Sequence, residues 1–179
     1  MNNHGQRGAT LMEFLIGFVI AGILVALAVP SFRDWIVNTQ VRTASDGIKD
    51  GLAFARAEAV RRNTPVRWRM PTDGEAGWVV EAFDRGASSW TQVQQRVSAE
   101  GTPSVVVTAS QSTVTFLGTG TVTPTPTAAI TYGISNPNGG DCQTAAGDGS
   151  VRCLQVTVST GGQIRMCDPV LPTGSAAAC

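Results

Sequence analysis

The chain is almost without histidine and lysine. His4 is its only histidine and Lys49 its only lysine. Because histidine is the commonest general base and a frequent metal ligand, its scarcity argues against most nucleophile–base pairs and most mixed metal sites. The chain also has no Gly-x-Ser-x-Gly sequence, no phosphate-cradling loop and no convincingly spaced pair of carboxylates. We therefore predict no catalytic residue, no cofactor and no metal site.

Charge is sparse and balanced. Thirteen basic and thirteen acidic residues give a formal net charge of zero, so bulk electrostatics does not indicate a polyanion-binding protein. Glycine, serine, threonine and proline are abundant after Lys49, and this composition favours short strands and turns over helices. The later part of the chain is therefore predicted to be rich in strands.

Cysteine is confined to the last quarter of the chain, at Cys142, Cys153, Cys167 and Cys179. No Cys-x-x-Cys occurs, so neither a zinc ribbon nor a thioredoxin-type motif is indicated. In an oxidising compartment we expect sequence neighbours to pair, Cys142 with Cys153 and Cys167 with Cys179. Four cysteines allow three pairings, and the sequence leaves the choice open.

One long apolar run stands near the start. Residues 9–29 contain a single charge, Glu13, and at about 1.5 Å per residue they span roughly 31 Å of helix, close to the thickness of a bilayer core. The polar, weakly basic leader of residues 1–8 ends in Gly8 before this run, whereas a secretory signal has its cleavage site after the apolar region. A cut after Gly8 leaves the apolar helix on the mature protein.

The helical pattern continues beyond Pro30. Apolar and small residues recur at steps of three and four, as one buried face requires: Trp35, Thr39, Val41, Ala44, Ile48, Leu52, Ala55 and Ala59. The sequence Arg-Arg-Asn-Thr-Pro at 61–65 then ends the helix, because cations suit its negative end and proline cannot continue it. We predict one helix of about 53 residues.

From residue 65 the period changes to two. Residues 66–70 and 77–83 read as an antiparallel hairpin, and residues 154–158 and 163–166 as a second pair. Further strands are predicted at 92–97, 104–108, 113–117 and 128–134, and the Thr/Pro-rich segment 119–127 as an exposed loop or edge. The predicted fold class is α+β, with a long N-terminal helix packed on an antiparallel, strand-rich head.

The opening residues resemble the N-terminus of type IV pilins and of type II secretion pseudopilins. The matching pattern is Gly-x-Thr-Leu-x-Glu, an apolar run and then Pro-x-Phe, beginning here at Gly8. The resemblance implies a pilin fold, cleavage by a prepilin peptidase between Gly8 and Ala9, and methylation of the new amine of Ala9. It implies that Glu13 and Pro30 serve assembly, Glu13 by pairing with a neighbouring subunit's amine and Pro30 where pilin helices kink.

Two later blocks resemble the minor pilins FimU and FimT and the minor pseudopilin GspH. They are the helix end at 52–62 and the sequence Gly-Gln-Ile-Arg-Met-Cys-Asp at 162–168, with Gln163 where FimT-like proteins carry arginine. The implied organisation is a removed leader at 1–8, a transmembrane and assembly segment at 9–30 and a periplasmic head at 31–179. The implied location is the bacterial inner membrane, spanned once with a cytoplasmic N-terminus, and then a pilus or pseudopilus.

The implied function is that of a minor type IV pilin, which primes pilus assembly and lies near the tip. Its implied partners are other minor pilins, the major pilin or pseudopilins, and the prepilin peptidase. One alternative is a GspH-like pseudopilin of type II secretion. The other is a FimT-like DNA-binding pilin, in which Arg152 and Arg165 contact phosphates and Arg67 with Arg69 add a second basic patch. Trp68 and Trp78, which lie within predicted strands, are interpreted as core residues rather than a stacking platform.

Overall fold

The computed structural model describes residues 10–179. Gly8 and Ala9, and with them the predicted leader and cleavage site, lie outside the described residues.

A single helix, α1 (Leu11–Arg62, 52 residues), begins and ends at residues suited to these positions. Thr10 is extended and its hydroxyl accepts a hydrogen bond from the Glu13 N–H at 3.3 Å. At the other end Asn63 adopts the left-handed conformation (φ 49°, ψ 42°). The Asn63 N–H then donates to the Val60 carbonyl and the Thr64 N–H to the Ala59 carbonyl, the pattern of a Schellman motif. The predicted helix is therefore confirmed, with the boundaries that its capping residues set.

The face of α1 that packs on the head starts later than the sequence pattern predicts. The buried residues of this stripe, all at 0–1% exposure, are Val41, Ala44, Ile48, Leu52, Ala55 and Ala59. Trp35, however, is 62% exposed, and Thr39 is exposed as well, so their placement in the buried stripe is wrong. The step from Thr39 to Val41 is only two residues, about 200° around the helix, so the two earlier residues lie on the opposite face.

Residues 10–179 form nine strands: β1 (Val66–Arg69), β2 (Trp78–Asp84), β3 (Ser89–Arg96), β4 (Val106–Ala109), β5 (Thr113–Phe116), β6 (Val122–Thr123), β7 (Ile130–Ser135), β8 (Leu154–Val158) and β9 (Ile164–Cys167). They make two antiparallel sheets, in the orders β3-β2-β1-β5-β6 and β4-β7-β8-β9. A short 3-10 helix, Pro137–Gly139, precedes the first disulfide loop. Both sheets pack against α1.

The two predicted hairpins are confirmed. Val66 pairs with Ala82 in the β1–β2 register, and Val158 pairs with Ile164 between β8 and β9. The four further strands are present within a few residues of the predicted bounds. The Thr/Pro-rich segment is an edge as predicted, and it contributes the short strand β6, whose Val122 is buried. The division into two sheets and the pairing of β1 with β5 were not predicted.

The core forms where α1 lies across both sheets. Trp68 of β1 is fully buried and meets Tyr132 of β7 edge to face, with ring centroids 5.1 Å apart. Trp78 of β2 is 4% exposed, so the interpretation of both tryptophans as core residues is confirmed. A Cβ placed on Gly51 of α1 would come within 2.6 Å of the Trp78 indole and 2.9 Å of the Trp68 indole nitrogen. The helix therefore approaches this sheet closely only because residue 51 has no side chain.

We expect Gly51→Ala to destabilise the head by about 1–3 kcal/mol, because the cost of overpacking exceeds the gain of about 1 kcal/mol in helix propensity. Urea unfolding of the detergent-solubilised chain measures this. Gly47→Ala is the matched control, since there the added Cβ meets the end of the long Arg96 side chain, which can turn aside by giving up its hydrogen bonds to the Thr43 and Glu100 carbonyls. That variant is expected to be within about 1 kcal/mol of the parent. Equal stability of the Gly51 variant and the parent would contradict the close-packing argument.

Candidate assembly surface

The first part of α1 has no covering in the chain itself. Residues 11–29 are exposed on every side, although nearly all are apolar. α1 is long and apolar enough to cross a membrane within its first part. A helix that is apolar all round has to be surrounded by lipid or by other apolar surfaces. This segment is therefore a surface for a membrane or for other subunits.

Glu13 lies in the first turn of α1 and is exposed. The sequence Thr-Leu-Met-Glu at 10–13 has the spacing of a capping box, in which Thr10 bonds the backbone of Glu13. A carboxylate also suits this end of a helix, where the unpaired N–H groups carry partial positive charge. Among residues 10–179 no salt bridge involves Glu13. The carboxylate is thus placed at the start of the apolar segment and open to a partner.

Pro30 falls within α1, whose helical assignment is uninterrupted from residue 11 to residue 62. Just beyond it, the Ser31 hydroxyl donates to the Ala28 carbonyl at 3.0 Å. The assembly roles of Glu13 and Pro30 remain predictions.

Two disulfides close the loops at the end of the head. Cys142 is joined to Cys153 and Cys167 to Cys179, with Cα–Cα distances of 5.4 and 5.0 Å, so the predicted pairing is confirmed. The two cysteines of the first disulfide are eleven residues apart in the sequence, and those of the second are twelve residues apart. Each therefore closes locally and holds an irregular segment that has few backbone bonds to a sheet.

The arginines proposed for DNA contact are bonded within the head. Arg152 donates from Nε to the Asp168 carboxylate at 2.7 Å, and Asp168 is only 4% exposed. Arg165 donates from Nη2 to the carbonyls of Ala176 and Ala178, each at 2.8 Å. These bonds tie the first disulfide loop to the second and the second to β9. The two side chains thus have structural partners, and DNA contact through them remains a prediction.

Polar side chains of α1 join the helix to the first disulfide loop and to the start of the 3-10 helix. The Asn38 side-chain oxygen accepts from the Arg152 backbone N–H at 2.7 Å, and Gln40 accepts from the Asn136 side chain at 2.8 Å. Beside them lies an open cleft of about 770 Å³ between α1 and β8–β9, with Leu154 and Met166 in its lining. Sequence reasoning missed Asn38 and Gln40, because nothing in their local pattern indicates partners a hundred residues away.

The predicted role of arginine at the end of α1 is borne out by its contacts. Arg61 donates to both oxygens of Glu58 (2.9 and 2.7 Å), and Arg62 donates to one of them at 2.6 Å. The hydrogen bond from Arg61, against the effect of burial and with help from Arg62, lowers the pKa of Glu58 to about 2. Arg56 bonds the Gly120 carbonyl at 3.0 Å and so joins the helix to the β5–β6 turn. Glu58 was missed, although its spacing of three and four residues from the arginines is a readable signal.

A second arginine pair surrounds Glu81 on the outer face of the first sheet. Arg67 and Arg69 both donate to its carboxylate, at 2.6 and 3.0 Å, and the Arg67 guanidinium lies 4.3 Å from the Trp90 ring centroid. Burial raises the pKa of Glu81, but the hydrogen bonds from Arg69 and Arg67 outweigh it and hold the pKa below its usual value. One of the two positive charges of the suggested second basic patch is therefore balanced by a carboxylate that only the strand register brings there.

The described part of the head offers packing surfaces and ion pairs. Among residues 10–179, no three side chains of histidine, cysteine, aspartate or glutamate converge in a way that could hold a metal ion. All four cysteines are in disulfides. The groups that the structure does present to a partner are the apolar surface of α1, Glu13 and the cleft between α1 and β8–β9.

The chain was compared with protein-family models and with known proteins. The family model "Type II transport protein GspH" matches residues 44–162. The type IV major fimbrial protein FimA of Dichelobacter nodosus is 38% identical over 74 residues, which are 40% of this chain and 44% of FimA. The chain thus matches less than half the length of this curated relative.

Two solved structures share the fold. The type IV minor pilin FimU of Pseudomonas aeruginosa superposes with a TM-score of 0.54 at 17% identity, over 76% of this chain and 92% of FimU. The minor pseudopilin EpsH from the type 2 secretion system of Vibrio cholerae gives a TM-score of 0.54 at 14% identity, over 73% of this chain and 98% of EpsH. The predicted helix-plus-head architecture is confirmed by both.

We expect Glu58→Gln to lower the free energy of unfolding near pH 7 by about 1 kcal/mol, as for an ion-pair network whose arginines are largely exposed. Because the folded pKa is depressed, the stabilisation is full above the ordinary value of 4.5 and is lost as the pH falls toward about 2. The parent and the variant should therefore converge across that window in urea unfolding followed by circular dichroism. Asp50→Asn, at an exposed acid of α1 without a salt bridge in the described residues, should show no such convergence. A constant difference at all pH values would contradict the assignment.

Proposed function

The chain belongs to the GspH family, and from this premise we propose that it is a minor type IV pilin that helps to prime pilus assembly and lies near the pilus tip. The observation that carries the proposal is the construction of α1. One continuous helix supplies both an apolar segment exposed on all sides and the buried spine of the head. Such a subunit leaves lipid only by packing its apolar segment against other apolar helices, which is what a filament core provides.

Glu13 gives this packing its axial register. We propose cleavage between Gly8 and Ala9 by a prepilin peptidase, followed by methylation of Ala9, so that a new amine lies close to the start of the apolar segment. The Glu13 carboxylate of one subunit then pairs with the amine of its neighbour. A subunit displaced along the filament would leave both charges buried and unpaired, at a cost of several kcal/mol.

The proposed location is the bacterial inner membrane, with a cytoplasmic N-terminus and a periplasmic head, before incorporation into a filament. The two disulfides support this orientation, because such bonds persist in oxidising compartments. The proposed partners are other minor pilins and the major pilin. The role is structural and not enzymatic. The similarity to FimA supports a fimbrial system, because FimA is named as a type IV major fimbrial protein.

A second candidate function is that of a minor pseudopilin of type II secretion. It is favoured by the description of the matching family and by the likeness to EpsH. The same assembly physics applies, so the two candidates differ in the machine that the subunit joins. A deletion strain separates them. Loss of surface pili, restored by the intact gene, supports the pilus role, whereas normal piliation with impaired exoprotein secretion supports the pseudopilin role.

We expect Glu13→Ala to reduce recovery of the subunit in sheared filaments by on the order of tenfold or more, because an unpaired buried amine costs well above 1.4 kcal/mol. Membrane insertion should be unchanged, since the substitution makes the segment more apolar. Quantitative immunoblotting of the filament and membrane fractions measures both. Asp34→Ala, which removes an exposed acid of α1 outside the apolar segment, is the control and should be incorporated normally. Full recovery of the Glu13 variant would refute the pairing.

A further inference from the structure

Two aromatic side chains stand exposed just beyond the apolar segment. Phe32 and Trp35 are 59% and 62% exposed, and their rings are stacked with centroids 5.7 Å apart. A stacked pair of this size in water leaves a large apolar area uncovered. Neither the predicted buried stripe nor the proposed pairing of Glu13 accounts for these residues.

The head of the same chain leaves most of this pair exposed. At about 100° per residue, Phe32 and Trp35 lie on one side of α1 together with Val25, Val29 and Ile36. Val41 and the buried residues after it lie on the opposite side, where the sheets pack. The pair therefore continues the exposed apolar surface of the membrane segment, and Trp35 also borders the open cleft between α1 and β8–β9.

The apolar character of this face ends within one turn. On the side of Phe32 and Trp35, the residues over about the next three turns are polar, namely Thr39, Thr43, Asp46 and Asp50, and Ala53 and Ala57 follow them. A partner helix running along α1 would need apolar contact to continue through these positions. At the edge of a lipid bilayer, the apolar surface of a helix stops at one depth. The change from Phe32 and Trp35 to polar residues fits this pattern. The covering that fits Phe32 and Trp35 is therefore a lipid surface.

The depth of the pair agrees with such a boundary. Phe32 lies twenty-one residues beyond Leu11, about 32 Å along the helix, and Trp35 about 36 Å, where the headgroups begin in a bilayer with a core of about 30 Å. Aromatic side chains are enriched at this level, because their rings are apolar and their edges polarised. Arg33 is exposed beside them, and among residues 10–179 it forms no salt bridge. A free guanidinium at the headgroup level suits a lipid phosphate.

We propose that Phe32 and Trp35 form a seat in the headgroup region of the leaflet on the side of the head, with Arg33 bound to a phospholipid phosphate. The inference rests on the proposed membrane anchorage of the chain. The seat fixes the depth of α1 before assembly. Trp35 and Glu13 are twenty-two residues apart, about 33 Å, so seating Trp35 at one surface places Glu13 close to the other. Before assembly, the Glu13 carboxylate then lies near water rather than in the middle of the bilayer.

The test uses the full chain in vesicles of phosphatidylcholine and phosphatidylglycerol that carry brominated lipids. Tryptophan emission should be quenched more by bromine near the headgroups than by bromine near the chain ends. This bromine-sensitive emission should disappear in Trp35→Phe. Trp90→Phe is the matched control: its residue is half-buried in the head, and the variant should keep the bromine-sensitive emission of the parent.

A second comparison tests the phosphate. Shallow quenching of the parent should increase with the share of phosphatidylglycerol and decrease with added salt. Arg33→Gln should lose this dependence, whereas Arg42→Gln, which removes another exposed arginine about 14 Å farther along α1, should retain it. If both variants keep the dependence, or if only Arg42→Gln loses it, the assignment of Arg33 is overturned.

Flotation of the vesicles separates failure of this inference from failure of the proposed function. Protein that floats with the vesicles, but whose quenching is the same in the parent and in Trp35→Phe, overturns the lipid seat and leaves membrane anchorage standing. Protein that does not float with the vesicles overturns both.

Discussion

The structure depends on one helix that has to suit two surroundings. The first part of α1 (Leu11–Arg62) is apolar on every side, whereas the second part has one apolar stripe under the sheets and charged residues on its other sides. Because the backbone is continuous between them, the position of the head relative to the membrane is set by the helix itself. The polar face of the second part, with residues such as Thr43 and Asp46, keeps that half out of lipid. Anchoring and folding are thus properties of the same element.

The head is held to this helix by small residues and by arginines. Gly51 admits two indoles against the helix, and Ala44, Ala55 and Ala59 let the sheets approach closely. Arginine then joins distant parts, as Arg152 does between the two disulfide loops. Most charges of the head are used in these contacts, which explains how a chain with few charged residues keeps irregular loops in place. A head of this kind offers partners shape and apolar area more than charge.

Much of this architecture was readable from the sequence, and the failures are informative. The helix, its end at Asn63 and both hairpins follow from local periodicity and capping. The pairing of neighbouring cysteines was expected, but the sequence left three pairings open and the structure decided between them. Trp35 was misplaced because apolar steps of three and four were extended across a step of two, at Thr39 to Val41, where the face of the helix changes. Trp35, which does not belong to the buried stripe, lies where we propose that the helix passes from the lipid to the head.

By itself the sequence determined the anchor, the helix and the strands, because these depend on residues close together in the chain. Only the tertiary structure decided how the strands divide into two sheets, which face of α1 meets them, and that Glu81 pairs with both Arg67 and Arg69. Those features join residues far apart in sequence. Their stability comes from closing long loops around a shared core, and no local pattern of side chains records which closure has the lowest free energy.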